Sequence, residues 1–319
     1  MARYLHQVIP IQFLNPQSPY SGRYRLDDPS LENSMAQKGM VQPPLVAPGT
    51  PADVIAGHKR VHAARKIGLK DIEVLILKAP ISKEDAFLLA VLSNWNQNVS
   101  ELDQAWTVAS AVRGLFMPRE KVLEEVLPLL GKAGDTGFYE EALEVMTLHK
   151  TLLDLIADEK LPFRGSKILA RLSRPDQEAF AVGIAAPAAL TTNQLLKTAE
   201  WISDLLKISG ESLEQCLGRE TLKSILDSPS DRKAKGERFF AALRRLRFPN
   251  LVDKEKEFAS LSNPLQEPQS GLSVEAPPYF EGEGFTLRAR IKEAKDLDRL
   301  SEILKEKRKV LNSLLDIVL

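Results

Sequence analysis

Apolar residues are spaced in two different ways along this chain, and the change falls near residue 100. Ahead of it, short apolar runs alternate with turn residues. Leu45 and Val46 read as a strand, Pro48-Gly49-Thr50-Pro51 as a turn, and Val54 to Ala56 as a returning strand that stops at Gly57. A helix is predicted from there, because Val61, Ala64 and Ile67 recur at helical spacing. Gly68 is placed to cap it, and Ile72 to Leu77 resumes as a strand. Beyond residue 100 the strand signals vanish, and helices are expected near Glu101 to Phe116, Arg119 to Leu130, Phe138 to Asp158 and Lys167 to Leu172. Leu123, Val126, Leu127 and Leu130 make one apolar face, Gly131 to Gly137 breaks the chain, and Ala142, Val145, Met146 and Leu148 make the next. That succession reads as a helix-turn-helix.

Residues 261–279 have the Pro, Gly, Ser and Gln content of a linker. After them Phe285, Leu287 and Ala289 alternate with Thr286, Arg288 and Arg290 as a strand, and one helix is expected from about Ala294 to the end. On it Leu297, Leu304, Leu311 and Val318 keep a seven-residue period. Leu300 and Leu314 hold the partner position, Lys307 interrupts it, and Ile303, Val310 and Ile317 widen the stripe. A strand and one helix of this length cannot bury such a face alone, so it either docks back on the body or pairs with a second copy. The expected class is α+β, with a small mixed-sheet domain over 1–99, a helical domain over 100–205, a basic helical extension over 206–260, the linker, and a strand-helix element over 280–319.

Charge and cysteine act by exclusion. The 319 residues leave room for two or three domains, and 43 Lys+Arg against 43 Asp+Glu leave no global field for nucleic acid or membrane. Charge-driven binding must then be local. The one cysteine, Cys216, forms no internal disulfide, which suits a reducing compartment, and it lies in an apolar helical stretch as a packed core residue does. The N-terminus lacks an apolar leader and no apolar run reaches about 18 residues, so a soluble, cytoplasmic protein with no membrane partner is expected.

The strand-glycine-helix joint at Gly57 carries the candidate chemistry. A glycine there lets backbone N–H groups approach an anion, and Lys59 and Arg60 add charge, which outlines a phosphate cradle. Many such joints are purely structural, so the flanks decide. Asn15-Pro16-Gln17-Ser18-Pro19 and Leu31-Glu-Asn-Ser-Met35 lead into Gly39-Met-Val-Gln42-Pro43-Pro-Leu-Val46, and Ser93-Asn94-Trp-Asn96-Gln97 and Glu101-Leu-Asp-Gln-Ala105 follow. In this order and spacing they resemble the N-terminal domain of the ParB chromosome-partitioning family, firmly to about residue 110 and more loosely to about 200.

ParB proteins are DNA clamps governed by bound CTP, so the resemblance implies a small mixed-sheet nucleotide-binding domain, an all-helical middle with a helix-turn-helix, and a dimerising strand-helix end. It places CTP or another nucleoside triphosphate against Gln42, Pro43, Gly57, His58, Lys59, Arg60, Ala63 and Asn94, with Mg²⁺ on Asn94. His58 stands where the family has an acid. Ser93 and Gln97 stand where it has a glutamate and an arginine, which removes one carboxylate from a metal site that favours them and leaves a weak CTPase activity less supported than binding.

Three further patterns bear on function. The presumptive recognition helix offers Glu140, Glu141 and Glu144 and no basic or amide side chain to a base edge or phosphate, so a packed bundle element is the alternative reading. Arg164, Lys167, Arg171 and Arg174 fall at spacings that put them on one face of a helix beginning near Phe163, a candidate DNA-backbone contact insensitive to sequence. A second basic cluster runs from Arg232 to Arg247, and either stripe reads equally as a solvated face. His58 and His62 have metal-pair spacing without a third ligand, and no Walker-type glycine loop occurs. The function expected is a nucleotide-regulated DNA-binding or DNA-clamping homodimer acting in DNA partitioning. The alternative is a ParB-derived nucleotide sensor that has lost specific DNA reading and acts on a protein partner.

Overall fold

The computed structural model describes residues 4–15, 17–94, 99–265 and 272–319. Its N-terminal part is a five-stranded sheet of β1 (Tyr4–Pro10), β2 (Leu14–Asn15), β3 (Leu45–Val46), β4 (Ala52–Ala56) and β5 (Asp71–Leu77), in the order β1-β5-β3-β4-β2. β5 alternates as expected, burying Ile72 and Val74 and exposing Asp71 and Glu73. It pairs antiparallel with β1 and parallel with β3, while β3 and β4 make the expected antiparallel turn-linked pair. The sheet is thus mixed. Three helices complete this part: α1 (Pro29–Lys38), capped by Asp28; α2 (His58–Lys66); and α3 (Lys83–Leu92), capped by Ser82. Val46, Val54, Val61, Ala64 and Val74 share one core with Leu14 and Met35. Gly68 closes α2 as predicted: at φ 78 it lets Leu69 N donate to Ala64 O and its own N to Arg65 O.

A helical region follows. α4 (Glu101–Ala109) runs on as a π turn over Ser110–Gly114, and α5 (Arg119–Lys121), a π turn over Val122–Val126 and α6 (Leu127–Leu129) make the next rod. α7 (Thr136–Val145) and α8 (Lys150–Ala157) come after. The single helix expected over Phe138 to Asp158 is therefore two. Leu148 turns into the core, and the His149 N–H donates to the buried Gln177 side chain (2.8 Å), so it is lost to the helical ladder. The expected helix at Lys167 to Leu172 is a 3₁₀ segment, Ser166–Arg171, entered through left-handed Gly165 and ended by extended Leu172. α9 (Arg174–Phe180), α10 (Thr192–Ser209) and α11 (Leu213–Leu217) complete the region.

Two compact units divide the chain, one built on residues up to Arg219 with Leu226–Gly236, the other on Glu220–Ile225 with Glu237–Leu319. α12 (Glu220–Leu226) and α13 (Arg232–Arg247) lie across this division in sequence, and α14 (Pro249–Ser262) belongs to the second unit. Within that unit β6 (Leu272–Glu275) pairs antiparallel with β7 (Thr286–Ala289). β6 falls in the stretch expected as a linker, because Leu272 and Val274 alternate with Ser273 and Glu275 and bury one face; residues 266–271 of that stretch lie outside the described ones. The expected C-terminal helix is also two, α15 (Ala294–Glu306) and α16 (Arg308–Val318), with Lys307 leaving helical geometry at ψ 12 where it interrupts the apolar stripe. Leu314, Ile317 and Val318 pack with Phe258, Leu265 and Val274, whereas α15 buries no residue and Leu297 is 56% exposed. The distal half of the stripe is buried within its own unit, whereas the proximal half leaves Leu297 exposed and Leu300, Ile303 and Leu304 half-buried. Among the described residues no helix is long and apolar enough to cross a membrane.

Candidate functional site

Gly57 occupies the left-handed region (φ 92, ψ 23) as the residue before α2. A Cβ there would stand 3.0 Å from Pro44 Cβ and 3.1 Å from Arg60 Nη2, so β4 turns into α2 at a place where only glycine fits without strain. The helical ladder begins at Val61 N, which donates to Gly57 O, and no side chain caps the end or places an acid in the first turn. Unpaired N–H groups and the positive end of the helix dipole therefore meet at this point. Around it lies a cleft of about 290 Å³ lined by Gly22, Arg23, Leu31, Gln42, Gly57, His58, Lys59, Arg60, Ser93 and Asn94.

The fold thus brings six of the eight expected nucleotide residues, more than 50 positions apart at the extremes, to one cleft. Arg60 Nη1 donates to the carbonyls of Gln42 (2.6 Å) and Pro43 (3.4 Å), and burial alone holds its guanidinium below the usual arginine value. Among the described residues no carboxylate pairs with it. Lys59 Nζ lies 3.3 Å from Asp28, the residue that caps α1. Burial pushes the His58 imidazole down to about 4, the Val54 carbonyl opposing, and its Nε2 has no hydrogen-bond partner among the described residues. Pro43 contributes only its carbonyl, and Ala63 is a correction to the expected set, since its side chain is 1% exposed within the sheet-helix core. Asn96 and Gln97, and Pro16 upstream, lie outside the described residues.

Asn94 is tied by Nδ2 to Ala90 O (3.0 Å), leaving its oxygen for a ligand. Among the described residues no Asp or Glu lines the cleft, and no three His, Cys, Asp or Glu side chains could hold a metal together. The residues present do not fit a protein-held Mg²⁺, which wants at least one carboxylate, and no hydrolytic step is assigned to them. A zinc pair at His58 and His62 fares no better, because His62 is engaged by Asp27 at 3.2 Å.

Sequence reasoning missed Arg23. It lines the cleft from a strap between β2 and α1, and its Nη1 lies 3.0 Å from Asp103 on α4. Asp103 also accepts from Tyr24 N at 2.9 Å. These partners are 80 positions apart, and nothing periodic announces them.

The basic stripe is corrected. Arg164, Lys167, Arg171 and Arg174 do not share a helical face: Arg164 precedes left-handed Gly165, Lys167 and Arg171 sit on the 3₁₀ segment, and Arg174 opens α9. Arg164 is also spent internally, at 2.8 Å from Glu101 and 3.4 Å from Glu141. Glu141 is 8% exposed and accepts from Gly165 N, while Glu140 pairs with Arg119, so the acids of α7 act partly as struts. In the second cluster Arg244 grips Glu255 with both nitrogens at 2.6 Å, Arg245 meets Asp253, and Arg232 donates to the Ala185, Ala186 and Ala188 carbonyls.

Residues 6–95 match the ParB N-terminal domain family. The chain is 31% identical over 112 residues to the "Probable chromosome-partitioning protein ParB" of Coxiella burnetii, across 34% of this chain and 38% of that protein, so it spans about two-fifths of that relative's length. Among solved structures it resembles the C-terminally truncated chromosome-partitioning protein ParB of Caulobacter crescentus. With the parS-bound form the identity is 18% and the TM-score 0.35, over 61% of this chain and 98% of that one. With the form complexed with CTP-γ-S they are 20% and 0.26, over 56% and 97%. Residues 6–95, which hold the five-stranded sheet and the cleft, are thus similar to the ParB N-terminal domain, and it is in this segment that the chain resembles the ParB family.

Proposed function

We propose that the cleft at the start of α2 binds a nucleoside triphosphate, CTP in first place, and that the chain is a nucleotide-regulated, DNA-clamping partition protein. The observation that carries this reading is the Arg60 guanidinium, held over an uncapped helix N-terminus and paired with no carboxylate among the described residues. The base would lie towards Gln42, and the polar groups of Ser93 and Asn94 close the other side. DNA contact falls to Lys167, Arg171 and Arg174, and it is expected to be insensitive to sequence. A gel shift on random-sequence duplex over a salt series, with and without CTP, tests this. Log affinity should fall by about 0.9 per phosphate contact with log salt, CTP should shift the binding, and each lysine or arginine removed should lower the slope by roughly one. No binding even at low salt would favour the second reading, a nucleotide sensor acting on a protein partner. The acids of α7 and the internal pairing of Arg164 speak for that reading.

Homodimerisation belongs to the same proposal. α15 buries none of its residues, and its stripe of Leu297, Leu300, Ile303 and Leu304 needs a partner. Leu297→Asp with Leu304→Asp should give monomers by light scattering without unfolding the unit, whose core is made by α16. A monomeric unmodified protein at tens of micromolar would refute the dimer.

A further inference from the structure

Of the three cationic side chains that the described residues place on the cleft, Lys59 pairs with Asp28, Arg23 with Asp103, and Arg60 with no acid among those residues. The Arg23–Asp103 pair is the most shielded of these contacts, with side chains 12% and 16% exposed, and it joins two parts of the fold. Arg23 belongs to the strap Ser21–Asp28 and Asp103 to the first turn of α4. From the next positions of the strap, Tyr24 donates through its hydroxyl to Asp154 (3.1 Å), and Arg25 spans Asp154 (2.9 Å) and Asp158 (2.5 Å) at the end of α8. The strap therefore runs from the cleft to the helical region.

A polyanion in the cleft and Asp103 compete for the same guanidinium. Asp103 offers one negative charge, a triphosphate several, in a place already held positive by Arg60 and the α2 terminus. A ligand shifts an equilibrium between two arrangements only by its differential contact with them, and Arg23 supplies such a contact. Resting on the triphosphate reading above, we infer that Arg23 is a phosphate-binding residue that exchanges Asp103 for the ligand, and that this exchange loosens the strap from α4 and reports cleft occupancy to the helical region. Asp103 is then a negative determinant of affinity. The prediction is opposite in sign for the two partners of one ion pair, which a purely structural bridge would not give.

The test is a calorimetric titration of CTP into the full chain and the variants Asp103→Asn, Arg23→Gln and both together, each checked by circular dichroism. Asp103→Asn keeps the shape and an oxygen for Tyr24 N but removes the competing charge, and it should tighten binding by about threefold to tenfold. Arg23→Gln should weaken it about tenfold or more, and the double variant should match Arg23→Gln. If Asp103→Asn fails to fold, hydrogen exchange on the unmodified protein decides: saturating CTP should speed exchange across the strap Ser21–Asp28. A folded Asp103→Asn that binds no tighter, or a strap whose exchange is unchanged or slowed, overturns the inference while leaving the cleft reading intact. An unmodified protein that binds no triphosphate overturns both.

Discussion

Replacing Arg60 by alanine should weaken triphosphate binding tenfold to a hundredfold and leave the fold in place. The guanidinium sits in the first turn of α2, part-buried, and donates to the carbonyls of Gln42 and Pro43, which hold it over the cleft. A charge-assisted contact to a phosphate in such a place contributes about 1.5–3 kcal/mol, and each 1.4 kcal/mol or so is tenfold in affinity. Removing it also relieves a charge that the protein leaves uncompensated, so the cost to stability is small. Titration calorimetry reads the affinity and a thermal melt reads the fold. An unchanged affinity in a folded variant would place the phosphates elsewhere.

The larger effect is expected at Gly57. A β-branched residue at φ 92 costs about 1–2 kcal/mol in backbone strain alone. Its Cβ would also press on Pro44 at 3.0–3.1 Å, backbone included, and on the Arg60 guanidinium. Pro44 has little room to yield, because its carbonyl accepts from Leu75 N (2.9 Å) in the middle of the sheet. Gly57→Val should therefore lower stability by at least about 2 kcal/mol and abolish triphosphate binding, since it displaces Arg60 and fills the approach to the N–H groups together. Urea unfolding measures the first and calorimetry the second. A variant as stable as the parent would mean that the β4–α2 joint adopts another backbone.

Local chemistry explains what the sequence made legible. Strand, turn, strand, glycine and helix from Leu45 to Ile67 are each signalled by residues in contact with their chain neighbours, and each is found. The same holds for Gly68 and β5. What escaped depends on distant partners. β1, mostly exposed, exists because it pairs with β5 more than sixty residues on. The helix break before His149 has no glycine or proline to announce it and is fixed by Gln177. The basic spacing at Arg164 to Arg174 looked helical because periodicity cannot see that Gly165 turns left-handed, nor that Glu101 and Glu141 already hold Arg164. In the cleft, Gln42, Gly57, His58, Lys59, Arg60 and Asn94 were legible from motif position, whereas Arg23 pairs there with Asp103, a partner 80 positions away that no local pattern announces.

The acids of α7 and the cations of the cleft pull the functional account in different directions. Base-specific DNA reading is poorly served by a helix that carries Glu140, Glu141 and Glu144, two of them already paired with Arg119 and Arg164. The cleft gathers Lys59, Arg60 and the uncapped start of α2 at one place, the features on which the proposed triphosphate binding rests. Nucleotide binding is accordingly the central claim, and clamping and dimerisation are built on it.

The measurement that tests it most directly is a calorimetric titration of the 319-residue chain with CTP, ATP, GTP and UTP in turn, in the presence of Mg²⁺ as the phosphate counter-ion. Saturable binding of one triphosphate, CTP foremost, well below millimolar and lost in Arg60→Ala, is the predicted result. Failure of all four to bind below millimolar would contradict the account.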